Sequence, residues 1–92
     1  MPEPATTTRV TLDQLARGQA ARVRAVVPRG PVDSIGRRLG ELGFVPGEAV
    51  RLVAHGPFGR EPVVVQVGFT RFALRRAEAQ RVHVEALAED VR

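Results

Sequence analysis

Apolar residues recur along this chain at two periods, and the changes of period separate strands from helices. From Gln19 to Val27 they alternate, with Ala21, Val23, Ala25 and Val27 set against Arg22, Arg24 and Val26. That pattern predicts a strand with one buried face. Between Asp33 and Leu42 the spacing becomes helical: Ile35, Leu39 and Leu42 recur at i, i+4 and i+7, and Arg37, Arg38 and Glu41 take the other side. Asp33 stands where a helix needs an N-cap, and Gly43 where it needs a left-handed C-cap. Pro46-Gly47 then predicts a type II turn, with Gly47 accepting the positive φ. Alternation resumes from Glu48 to His55, with Val50, Leu52 and Ala54 on one face and Arg51, Val53 and His55 on the other.

Gly56-Pro57-Phe58-Gly59 reads as a turn. Pro62 to Val67 is nearly all valine, which predicts a strand buried on both faces or central in a sheet. Gly68 breaks it, Phe69 to Leu74 forms the next strand, and Arg75 to Ala79 is a short helix-prone stretch. Arg81 to Leu87 alternates again as a last strand, with His83 and Glu85 on its outer face. Ahead of all this, Thr11 caps a one-turn helix that Gly18 ends, with Leu12 and Leu15 on one side of it. Residues 1–9 and 88–92 lack apolar periodicity and read as tails around one domain, 10–87. Five short strands joined by tight turns, with one helix inserted after the first, indicate a mainly β fold, a small barrel or sandwich. Closure into a barrel removes edges that a lone sheet of this size would expose.

Ninety-two residues hold one domain with a thin core. The chain has no cysteine, which excludes disulfides, thiolate metal sites and cysteine nucleophiles. No apolar run approaches a membrane span, and the N-terminus lacks an apolar signal core, so the expected location is the cytoplasm. The net charge is +4 and all 14 cationic residues are arginine, but they alternate with Glu and Asp rather than forming a block. That distribution describes a solvated surface better than a nucleic-acid-binding one.

The candidate chemistry is sparse. Two histidines, distant in sequence, and no cysteine give no three- or four-donor metal site; His55, or His83 with Glu85, leaves room only for a weak surface ion. Ser34 sits at a helix start, where hydroxyls cap, and a domain this thin offers little cleft, so no catalytic residue is expected. There is no phosphate-binding loop and no lysine, so the chain is no GTPase of the P-loop class. No cofactor is implied. Phe44 and Phe72 fit the buried phase, whereas Phe58, in its Gly-Pro-Phe-Gly turn, is the aromatic expected to reach solvent and mark a contact surface.

The turns and the helix together resemble a known family. Arg37-Arg38-Leu39-Gly40-Glu41-Leu42-Gly43-Phe44-Val45-Pro46-Gly47 is similar to the R-L-x-x-[LM]-G-[FIL]-x-P-G signature of ferrous iron transport protein A, the FeoA family. His55-Gly56-Pro57-Phe58-Gly59 resembles its A-P-[LF]-G turn, and Phe72-Ala73-Leu74-Arg75-Arg76-Ala77-Glu78-Ala79 its [ILF]-[AS]-L-R-x-x-E-A segment, followed by Val82-His83-Val84. Leu12-x-x-Leu15-x-x-Gly18 corresponds to the family's opening, so the likeness runs over residues 11–86. It implies an SH3-like five-stranded barrel with an inserted α-helix and a short N-terminal helical turn. It also implies an accessory role in bacterial ferrous-iron uptake, through contact with the cytosolic side of the membrane transporter FeoB. On that reading Arg37, Arg38, Glu41 and Phe58 form the partner face, and Gly43, Pro46 and Gly47 are structural turns. Weak self-association is compatible with it. The alternatives are a free-standing regulatory domain akin to the C-terminal domain of iron-dependent repressors, and a small nucleic-acid-binding barrel.

Overall fold

The computed structural model describes residues 7–28 and 33–87. The expected break at 28–31 falls outside them beyond Pro28, as do 1–6 of the N-terminal tail and the C-terminal tail. One antiparallel sheet carries six strands. They are β1 (Thr7–Thr11), β2 (Ala20–Val26), β3 (Ala49–Phe58), β4 (Glu61–Val67), β5 (Thr70–Leu74) and β6 (Val82–Leu87), in the order β1-β6-β2-β3-β4-β5. A 3-10 helix, Leu12–Gln14, follows β1; α1 (Ser34–Leu42) lies between β2 and β3, and α2 (Arg76–Ala79) between β5 and β6. All five strands read from the alternation are present. The sixth, β1, takes Thr7–Arg9 out of the expected tail and pairs them with Glu85–Leu87.

The inward residues of the strands make one core: Ala21 and Val23, Val50 and Leu52, Val63 and Val65, Leu74, Val82 and Val84. Leu12 and Leu15 close it from the 3-10 segment, and Leu39 and Phe44 from α1 and the turn after it. Phe44 packs on Phe72 with ring centroids 6.1 Å apart, a tilted aromatic pair. Ile35, expected on the buried side of α1, is 42% exposed; Leu39 is buried and Leu42 partly so. The valine run of β4 is buried on one face only, at Val63, Val65 and Val67.

Two β-bulges reset the side-chain phase. In β2 the register slips between Val23 and Ala25, so Ala25 faces His83 on the outer surface and Val27 is 40% exposed. In β3 it slips between Leu52 and Ala54, which sets His55 opposite the buried Val63. His55 therefore takes the inward phase instead of the outward one expected of it. A bulge adds one residue to one strand only, and strict alternation in the sequence cannot show it.

The turns follow their chemistry. Val45 accepts from the Glu48 amide (3.0 Å) across Pro46-Gly47, and Gly47 has φ 92°. A Cβ at Gly47 meets nothing within 4 Å. Gly47→Val should thus cost only the backbone strain, about 1–2 kcal/mol, read as a lower denaturation midpoint with unchanged slope. Wild-type stability would show that the left-handed conformation is not required there.

Candidate functional site

Helix α1 is fixed at its N-terminus by a buried charge. Asp33 caps it, accepting from the Gly36 amide at 3.1 Å. Arg81, only 5% exposed, ion-pairs with the same carboxylate and donates from Nε to the Val27 carbonyl at 3.3 Å. At the other end Gly43, φ 116°, donates to the Gly40 carbonyl at 3.1 Å. The helix so held turns Arg37, Arg38 and Glu41 to solvent. Arg38 also lies 3.9 Å from Glu78 of α2.

Phe58 projects from the tip of the β3–β4 hairpin and is 84% exposed. The tip lies later than expected: Gly56 and Pro57 belong to β3, Phe58 pairs with Glu61, and the turn is Gly59-Arg60 with φ 62° and 65°. Two positive φ values in a two-residue loop match the right-handed twist of the flanking strands. Three hydrogen bonds tether this tip. Arg60 Nη2 donates to the Leu15 carbonyl (3.2 Å) and to His55 Nε2 (3.1 Å), and Arg76 Nη1 of α2 donates to the Gly59 carbonyl (3.2 Å).

α2 thus bridges the two parts of the predicted partner face: Glu78 reaches Arg38 of α1, and Arg76 reaches the turn beside Phe58. Of the predicted residues, Arg38 and the turn that carries Phe58 are connected through this short helix rather than by direct contact, and Arg37 and Glu41 are exposed on α1 beside Arg38. Exposed Arg37, Arg38, Arg60, Arg75 and Arg76 outnumber the acids Glu41, Glu61 and Glu78 along it, so the surface is cationic with an apolar tip. Sequence reasoning missed Arg60, Arg76 and Arg81, because each acts on a carbonyl or carboxylate 17 to 54 residues away. It also missed Phe69, wholly exposed in the β4–β5 turn.

Burial holds the pKa of His55 below its ordinary 6.5, and the Arg60 guanidinium pushes it the same way; a hydrogen bond to the Asp13 backbone and the Asp13 charge oppose them. Because the folded state binds its proton less readily than the unfolded one, stability is complete above pH 6.5 and falls as the pH drops through that value. The melting temperature should therefore decline between pH 7 and 5, and His55→Gln should flatten part of that decline. An equal slope in the variant would assign the acid sensitivity elsewhere.

His83 is exposed on β6. Glu85, on the same strand face, lies 3.4 Å from Arg24 and 3.9 Å from Arg9. Among the described residues no three His, Asp or Glu side chains come together as a metal cluster, and no helix is long and apolar enough to cross a membrane.

The FeoA domain model matches residues 10–86. No curated protein matches the chain. Among solved structures it is 57% identical to Stenotrophomonas maltophilia FeoA complexed with zinc, described as a unique procaryotic SH3 domain protein and a candidate ferrous iron transport activating factor. The match covers 82% of this chain and 88% of that one at a TM-score of 0.75. Iron(II) transport protein A from Clostridium thermocellum is 31% identical over 84% of this chain and 45% of its own, TM-score 0.74. T. acidophilum IdeR shares the fold alone, at 21% identity and TM-score 0.70, over 94% of this chain and 37% of that one. The six-stranded sheet with its few short helices is thus an SH3-like fold. Signature, fold and family model agree, and the chain belongs to the FeoA family.

Proposed function

We propose that this protein is a cytosolic accessory of ferrous-iron uptake that acts by binding the FeoB transporter, with no catalysis of its own. Its docking face is the outer side of α1 with Arg37, Arg38 and Glu41, continued through α2 to Phe58. One observation carries the reading: an aromatic side chain 84% exposed on a hairpin tip that three hydrogen bonds hold in place, two of them from distant parts of the chain. An aromatic kept in water on a rigid support loses little entropy on docking, which favours a protein contact. The cationic surface around it suits an acidic patch on the transporter.

Phe58→Ala should leave the melting temperature unchanged and weaken binding to purified FeoB by about 30-fold, the effect of a hot spot of about 2 kcal/mol. Arg37→Glu should weaken binding and make the remainder less salt-sensitive. Arg37 is the better probe than Arg38, whose reversal would also set two acids together beside Glu78. Wild-type affinity in both variants would remove this face from the interaction. The regulatory alternative has in its favour the fold shared with IdeR, and a nucleic-acid role would instead give a steep loss of DNA or RNA affinity with salt.

A further inference from the structure

Among the described residues β5 is the last strand of the sheet, and one side of it is unpaired. The β4–β5 turn is Gly68-Phe69, with Gly68 at φ 61°, a type II′ hairpin turn. Such a turn closes on a hydrogen-bonded pair, Val67 with Thr70, and alternation makes Val65 with Phe72 and Val63 with Leu74 the next ones. The N–H and C=O groups of Arg71 and Ala73 therefore point away from β4. Among the described residues no backbone hydrogen bond from another segment reaches them. Beside this edge stand Phe69, wholly exposed, and Phe72, partly buried against Phe44. Neither the core nor the proposed transporter face accounts for Phe69, which lies at the opposite end of β4 from Phe58.

We infer that this edge pairs with the same edge of a second copy of the chain, β5 against β5, antiparallel about a two-fold axis at Phe72. Charge selects the register. Arg71 and Ala73 can be satisfied in three antiparallel registers. The first sets Arg71 opposite Arg71 of the second copy. The next sets Ala73 opposite Ala73, and with it Arg71 opposite Arg75. Both place like charges face to face, which destabilises a sheet pair. The remaining register sets Arg71 opposite Ala73 in both directions and brings Phe72 against Phe72 at the axis. It also puts Phe69 opposite Arg75, whose backbone is still extended at φ −69° and ψ 150°. A guanidinium over an exposed ring is a favourable cation–π pair. The edge thus complements itself, donor to acceptor and cation to aromatic, in one register.

An edge this short buries less than a standard interface, so a dissociation constant of about 0.1–1 mM is expected. Sedimentation at concentrations spanning that value should show a monomer–dimer equilibrium. Ala73→Pro removes the edge-side N–H and leaves the ladder to β4, so it should abolish the dimer and keep the fold. Phe69→Ser should weaken the dimer about fivefold. The native chain has no cysteine, which permits a register test independent of that proline. Under mild oxidation a mixture of Arg71→Cys and Ala73→Cys chains should cross-link to each other, whereas Ala73→Cys chains, which keep the Arg71 charge, should not cross-link among themselves. A monomer at every concentration, a dimer that survives in folded Ala73→Pro, or self-linked Ala73→Cys chains would overturn the assignment.

Discussion

Arg81→Met should destabilise the domain by about 3 kcal/mol, enough to lower its melting temperature by more than about 10 °C. Arg81 is the one buried charged residue among those described, with 6% of its side chain exposed against 14% for Asp33. Its guanidinium meets the Asp33 carboxylate, its Nε donates to the Val27 carbonyl, and its own carbonyl accepts from the Val27 amide at 2.8 Å. One residue therefore ties the end of β2, the start of α1 and the start of β6 together. Methionine keeps much of the stem's volume, so a packing defect is not the main loss. The loss is that a carboxylate largely withdrawn from water gives up its cation, which typically costs about 3–5 kcal/mol. The lower end applies because Asp33 keeps its helix-capping bond and some hydration. Asp33→Ser retains a capping oxygen without the charge. The double variant should then recover at least about 1 kcal/mol relative to additivity, as contacting groups in one network do. Denaturant unfolding of the four proteins gives the coupling. A loss below about 1 kcal/mol in Arg81→Met, or simple additivity, would show that the pair is not what fixes the helix.

That pair marks the boundary of what the sequence could disclose. Asp33 as a cap and Gly43 as a left-handed stop are local devices, and both are found where the residue types put them. Pro46-Gly47 is local as well, and its turn forms as expected. Arg81 looks from the sequence like one more surface arginine, because its partner lies 48 residues away. The same holds for the strands. Alternation located β2 and β3, but the bulges that turn Ala25 outward and His55 inward depend on the register of β6 and β4. β1 carries almost no apolar signal, since Val10 is its sole large apolar residue, and it exists through its ladder to β6. In the candidate face, Arg37, Arg38, Glu41 and Phe58 are exposed as read. The α2 bridge that connects them, and the arginines that hold the hairpin tip, are tertiary facts with no short-range signature.

Gly56→Ala should have the second large effect, a loss of about 2–3 kcal/mol from a substitution that adds a single methyl group. Gly56 sits in the irregular stretch where the β3–β4 register passes from His55–Val63 to Phe58–Glu61. A Cβ there would overlap the Glu61 carbonyl oxygen and carbon and lie 2.5 Å from Pro62 Cδ. Two of these are backbone atoms, which no rotamer change can move aside. The hairpin must open to admit the methyl group. Opening displaces the Gly59-Arg60 turn and pulls Arg60 from Leu15 and His55, and Arg76 from Gly59. The variant should therefore melt at least about 8 °C lower, since about 1 kcal/mol shifts a domain of this size by 4–8 °C. It should also bind FeoB more weakly than its remaining folded fraction accounts for, because Phe58 is no longer held for docking. Amide exchange separates the two effects. Protection should fall first at Phe58 and Glu61 and persist at Leu52 and Val65, in the buried middle of the same two strands. A variant that melts and binds like the native chain would show that the close approach at Gly56 is not needed. One that loses protection uniformly would show that the tip is no separate unit, and that Phe58 is held by the whole sheet rather than by its three tethers.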